Sequence, residues 1–514
     1  MSKKSGMKGF VVGAAVTASL AMSVSAYADT ITKKIAVTYD DIIVELNGQE
    51  TAMKDATGAT VEPFIYNGTV YLPARAISEA VGLTASYDKA TKTVSLTGAV
   101  ETGSAPEETA GTADAASLGS ATYLLDGSTA SKTDESYIAV TTDTSAVKVI
   151  AGGALTLNGV TLSKTGGTSS EDNSNFYGLN AALLAAGGST VFLNDSTITT
   201  SANGANAVFA TGAGSTVNVS GATITTTEDS SRGLDATYTG TVNATNTNIT
   251  TAGTHSASIA TDRGNGTVNV TGGTMLTTGT DSPGIYSTGT ISVTDALITA
   301  QGSEAAVIEG KNSITLTNTH LSGAKKSGIM LYQSFSGDAE TGTGTLTMTG
   351  GSLTAYEGPL FYATNTDAVI NLKNVGLTNN SGILLAASAD KWGTTGANGA
   401  TVTLNADAQP LTGDVTADSI SSAQLVLSNG SSLTGTIDAA NAAKSVSLTL
   451  DAASVWNVTG DSYLSALTDG DITLSNIKDN GYTIYYDASA NANSWLAGAT
   501  ITLSGGGRLT PFTS

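Results

Sequence analysis

Twelve pairs of aliphatic residues, the members of each pair seven positions apart, recur through this 514-residue chain after residue 150. The pairs are Leu155/Leu162, Val191/Ile198, Val217/Ile224, Val242/Ile249, Val268/Met275, Ile291/Ile298, Ile314/Leu321, Leu346/Leu353, Ile370/Leu377, Leu404/Leu411, Val426/Leu433 and Leu448/Val455. Within a pair sits a Gly-, Asn- or Asp-rich triplet, such as NDS, SGA, TNT, TGG or KNV. Those residue types accept the unusual backbone angles of a tight bend, so each pair reads as two short strands joined by a corner. A third apolar position follows in most units, at Leu179, Val208, Leu234, Ile259, Ile285, Val307, Ile329, Leu360 and Ile383.

Three short strands per unit at this spacing predict a stacked coil. No single unit can bury its few aliphatic side chains alone, whereas coils stacked at roughly 4.8 Å place each Val, Ile or Leu on its equivalent in the next. The expected fold is mainly β: a right-handed parallel β-helix (solenoid) of about a dozen coils, with Thr, Ser and Asn covering the outside. An amphipathic helix does not fit strict alternation with a Gly or Asn at every corner. The architecture is similar to that of pectate-lyase-like β-helix proteins, a class that includes polysaccharide-cleaving enzymes and non-catalytic surface proteins. The resemblance carries no diagnostic active-site motif.

The residues before the repeat are organised differently. Lys3, Lys4 and Lys8 precede the apolar run from Gly9 to Met22 and the small residues Ala26 and Ala28, so residues 1–28 read as a signal peptide cleaved after Ala28. The apolar run falls short of the roughly 20 residues that span a bilayer. Export is the expectation, with a secreted or cell-wall-associated product and no integral membrane segment after cleavage.

Residues 29–100 alternate like strands, with a hairpin in VEPFIYNGTVYLP around Asn67-Gly68, a short helix in ARAISEAVG and a second hairpin in ASYDKATKTVSL. This order, and the segments EPFIYNGTVYLPARAISEAVG and YDKATKTVSL, closely resemble the copper amine oxidase N-terminal-like (stalk) domain of exported Firmicute proteins. The resemblance implies a small α+β accessory module, either a spacer or an aid to attaching its neighbour at the cell surface. It implies no copper chemistry, because the segment has neither His nor Cys. Residues 101–120 are poor in large apolar groups and read as a disordered linker, leaving 121–514 as the β-helix.

Charge and composition narrow the function. The chain has 22 basic against 43 acidic residues, a net charge of −21, so nucleic acid and anionic lipid are poor partners. Without Cys there is no thiol chemistry, and the two histidines, His255 and His320, fall at different positions in their coils, so no shared metal is expected. No cofactor is implied.

Three units carry longer loops, at 163–177, 333–343 and 388–399, and loops on a rigid scaffold are common sites of function. The second and third should overhang one edge two coils apart, with a loopless coil between them that contains PLFYA. Alternation from an inward Leu360 would turn Phe361 outward, near Tyr362, on a ladder with Tyr286, Ile308, Met330 and Leu384. Phe335 and Trp392 could close over this strip, with Asp338 and Asp390, together with Glu340, as acceptors. Aromatic platforms flanked by carboxylates suit sugar rings; alternatively these aromatics pack the loop bases. Asp229, Arg232, Asp235, Asp262 and Arg263 are the nearest acid–base set, and they read as solvated turn charges. A flat Thr ladder for ice is not expected, because ITT gives way to LTA and LSG along the chain.

These readings favour a secreted or cell-surface, non-catalytic scaffold, adhesin-like, whose loops bind a polysaccharide or cell-wall glycan. The competing reading is a pectate-lyase-like polysaccharide lyase or glycoside hydrolase. Oligomeric state is open.

Overall fold

A computed structural model describes residues 118–512 without a break, and 37–39, 42–46, 49–50, 54, 60–66, 69–80, 84–88 and 93–97 of the N-terminal part. The expected signal peptide, its cleavage site and residues 101–117 of the expected linker lie outside the described residues. The chain falls into two compact units, divided near residue 107. No helix among the described residues is long and apolar enough to cross a membrane.

In the smaller unit, Phe64–Tyr66 pairs antiparallel with Thr69–Tyr71, in a register that brackets Asn67-Gly68. Helix α1 (Ala74–Ala80) follows Pro73, and Thr84–Asp88 pairs with Thr93–Thr97. Both expected hairpins and the expected helix are present. Phe64 and Tyr71 stack across their hairpin with ring centroids 5.3 Å apart, a cross-strand pair of the kind that stabilises isolated ladders.

The larger unit is a parallel β-solenoid of about 16 turns over residues 120–512, more than the dozen coils expected. Val217 pairs in register with Val242, and Val242 with Val268. All three are fully buried. The aliphatic residues of the first strand of each coil form one continuous column, and those of the second strand form another from Leu162 through Ile198, Ile224 and Ile249 to Met275. Each fully buried Val or Ile contributes about 1.5–3 kcal/mol relative to exposure, and stacking makes nearly every one fully buried.

The corners between these columns hold a run of left-handed residues: Asp195 (φ 47°), Gly221 (66°), Asn246 (49°), Gly272 (68°), Asp295 (53°), Asn318 (48°) and Asn374 (52°). This is the bend that the Gly, Asn and Asp triplets predict.

Two of the twelve pairs slip by one position at the C-terminal end. Leu425, not Val426, continues the first column, and Trp456, not Val455, continues the second. There the corner holds one more residue, so the true spacing is eight.

The third strands form a separate 12-stranded sheet. Its inward column is Leu183, Val208, Leu234, Ile259, Ile285, Ala306, Ile329, Phe361 and Leu385. Leu179, Val307, Leu360 and Ile383 were expected in that column and lie outside it. The coil entrance itself faces inward: a Cβ on Gly284 would stand 2.4 Å from the Ile298 side chain, and Leu360 holds the equivalent position of its own coil, directly before the inward column. Periodicity counted from Leu360 therefore fails: both Leu360 and Phe361 are fully buried.

On the outer face of the second strands, Thr199, Thr225 and Thr250 align, and Leu276 follows them. The Thr array is broken, as its sequence indicates.

Candidate functional site

The outward side of the third sheet is where the three loops meet. Its central ladder runs Tyr286, Val307, Met330, Tyr362 and Ala386. Tyr286 and Met330 occupy the outward ladder as expected, but Tyr362 takes the place expected of Phe361, and Ile308, Leu384 and Phe361 face the core. Phe361 is therefore not a ligand-binding candidate.

Helix α2 (Glu171–Tyr177) folds from the first loop onto this sheet. The Ser170 side chain caps its start by accepting from the Asn173 amide, and Gly178 (φ 72°) ends it in the left-handed conformation. A Cβ on Gly178 would stand 2.7 Å from the Phe209 ring, so only glycine allows this approach. Beneath the helix and its flanking loop, Leu118, Ala181, Leu184, Ala186 and Phe209 form a second small core. The sequence gives this helix no aliphatic periodicity, since EDNSNFY is polar until its last two residues.

The helix also buries charge. Asp235 points outward from the sheet yet is fully buried, and neither of its oxygens has a hydrogen-bond partner. Burial, and then the neighbouring Asp262 carboxylate, hold Asp235 well above the usual carboxylate range, opposed by Arg232. Arg232 Nε lies 2.9 Å from Asp262 Oδ2 as an ion pair, outside good hydrogen-bond angles, while Arg232 Nη2 donates to Asp262 Oδ1 at 3.2 Å. Arg232 Nη1 donates to Asn175 Oδ1 of the helix at 2.5 Å. Arg232, Asp235 and Asp262 were expected to be solvated turn charges; they converge instead, because the first loop roofs them.

The second loop reaches back along the rod. Arg263 stacks its guanidinium 3.7 Å from the Phe176 ring centroid and donates from Nε to Asp338 Oδ1 at 2.9 Å. Glu309 anchors the base of that loop: Tyr332 donates to it at 2.9 Å, and Tyr286 and Ser334 also donate to it. Burial, with the Glu309 carboxylate beside them, pushes both tyrosine hydroxyls far above their ordinary range.

From the third loop, Trp392 packs against Tyr332 (5.3 Å) and Phe335 (6.2 Å). Phe335 and Trp392 thus come together as expected, although Phe335 remains 67% exposed. The Lys391 ammonium lies 4.9 Å from the Trp392 ring centroid.

Between these walls runs a groove of about 740 Å³. Its floor carries Tyr286, Val307, Met330 and Tyr362; Asp338, Asp390 and Trp392 line it, and Phe335 stands just outside. The opposite rim carries Ser230, His255, Asp281 and Lys326, each in the left-handed conformation with φ of 53°, 53°, 54° and 63°.

A buried serine ladder sets that rim. The Ser231 amide donates to Ser256 Oγ and the Ser256 amide to Ser282 Oγ, both at 2.9 Å. Each serine directly follows a rim residue, so the ladder fixes where Ser230, His255 and Asp281 project. His255 is therefore a groove residue, whereas His320 lies on the second strands, bonded to Ser352 at 2.8 Å. The triplets D-S-S, T-H-S and T-D-S that end in the ladder serines are present in the sequence, but they read as ordinary turn composition. Among the described residues, no three His, Cys, Asp or Glu side chains group as a metal site.

Compared with known proteins, the chain matches the family model described as the copper amine oxidase N-terminal domain over residues 17–96, with a second, overlapping match over 46–147. The matches cover the small N-terminal unit and the first strands of the solenoid, and not the groove. No curated protein matches the chain, and no solved structure does.

Proposed function

We propose that the solenoid is an exported, non-catalytic scaffold that binds a glycan in the groove over its third sheet, with the N-terminal unit as its stalk. One observation carries this reading: the floor ladder of Tyr286, Met330 and Tyr362 meets Trp392 along a single groove bordered by carboxylates. Aromatic faces stack on the C–H side of sugar rings while side-chain oxygens accept from hydroxyls. A rigid floor with pre-set rim residues also lowers the ordering cost of binding.

A second reading, a polysaccharide lyase or hydrolase, has the convergence of Arg232, Asp262 and Asp235 in its favour. β-Helix folds occur among both polysaccharide lyases and non-enzymes. In this site Arg232 and Asp262 neutralise each other and Asp235 lies behind them, roofed from the groove. That cluster therefore does not present the two carboxylates open to a scissile bond that a hydrolase needs.

Incubating the purified chain with acidic and neutral polysaccharides separates the two. Retention on a glycan without release of reducing or unsaturated ends is the expected result, and release of such products would establish the enzymatic reading.

A further inference from the structure

Resting on that glycan-binding reading, we infer that the groove takes a linear, non-anionic glycan laid along the rod axis and contacts about five sugar units of it.

The first argument is charge. Glu171, Asp262, Asp281, Glu304, Asp338 and Asp390 line the groove against only three cations, Arg232, Lys326 and Lys391. Those cations are already engaged. Arg232 is paired with Asp262 at 2.9 Å; Lys326 lies 2.5 Å from Asp281 and 3.6 Å from Glu304; Lys391 sits over Trp392. Arg263, behind the wall, is held by Asp338. A uronate or sulfated sugar entering here would meet surplus carboxylate and would have to break an existing pair to find a cation. A neutral hexose, or one bearing an amine, would not: Asp390 and Glu171 have no cationic partner among the described ion pairs.

The second argument is repeat length. Two residues before the inward position of six successive third strands lie Arg232, Ala257, Pro283, Glu304, Ser327 and Pro359, and all six line the groove. Five coil steps at the inter-strand spacing make the groove roughly 24 Å long. A 1,4-linked hexopyranose advances its chain by about one coil step, so a glycan strand lying along the axis keeps its register with the ladder. A chain crossing the rod at right angles would touch only one or two coils.

The test is calorimetric titration of the full chain with three oligosaccharide series, each from disaccharide to octasaccharide: β-1,4-glucose, β-1,4-glucosamine and α-1,4-galacturonate. The glucose or glucosamine series should bind, with affinity rising with length up to about five units and then levelling. The galacturonate series should be at least about tenfold weaker, and Asp281→Asn, which removes one of the two carboxylates paired with Lys326, should narrow that gap.

Tightest binding by galacturonate would overturn the inference while leaving the groove a glycan site. So would affinity independent of length, or an Asp281→Asn chain with no gain for galacturonate. Binding of none of the three series would remove the glycan-binding reading itself.

Discussion

Arg263 donates from Nε to Asp338 Oδ1 at 2.9 Å, joining residues 75 positions apart in sequence. Thr261, close before Arg263, is three coil steps from Leu331, through Ser287 and Ile308. The contact therefore exists only because the second loop doubles back along the rod. With Phe176 stacked on the same guanidinium, Arg263 ties the first loop to the second and closes the wall of the groove.

Removing that tie should loosen both loops. Arg263→Gln and Asp338→Asn are each expected to destabilise by about 1–2 kcal/mol, with a coupling of at least about 0.5 kcal/mol in the double-mutant cycle. Limited proteolysis within 165–177 and 333–343 should accelerate in both variants, and glycan affinity should fall. Additive single effects with unchanged proteolysis would show that the loops hold their places independently.

Adjacent residues on one strand should behave in opposite ways. Phe361 is fully buried in the core, so Phe361→Ala is expected to cost about 3–5 kcal/mol in denaturant unfolding while the folded protein keeps its ligand affinity. Tyr362→Ala should leave stability nearly unchanged and weaken glycan binding by about tenfold. The reverse pattern would mean that the strand register is shifted by one residue.

Asp235 gives a pH signature. Burial raises its carboxyl in the fold well above the ordinary value of about 3.9 at which it ionises in the unfolded chain. Below that value both states carry the proton and the group leaves stability unchanged. As pH rises toward the folded value, the unfolded state is favoured by up to about 1.4 kcal/mol per unit. Asp235→Asn removes the ionisation, so the variant should match the parent near pH 3 and become progressively more stable relative to it toward neutral pH. Parallel unfolding midpoints across that range would show that Asp235 is ionised in the fold.

At the corners, the left-handed residues differ in tolerance. A Cβ on Gly273 (φ 91°) would lie 2.1 Å from the Thr247 carbonyl of the preceding coil. Gly273→Ala should therefore cost more than about 1 kcal/mol, whereas Asn246→Gly, at φ 49°, should change stability by only a few tenths. Equal effects in thermal unfolding would mean that the corner relaxes freely.

The sequence by itself determined the coil. Val217, Val242 and Val268 can be buried only on one another, and NDS, SGA and TNT can form only a corner, so columns, corners and polar sheath follow from spacing and residue type. The overhang of the second and third loops, and the meeting of Phe335 with Trp392, were legible for the same reason. The tertiary structure alone decided which charges are buried and which aromatics face out. The first loop, polar in sequence, gains its apolar partners only by lying across Leu184 and Phe209, and in doing so it roofs Asp235 and draws Arg232 and Asp262 together. Phe361 turns inward because it pairs in register with Ile329 and Leu385 of the neighbouring coils, and no periodicity within a single coil records that register.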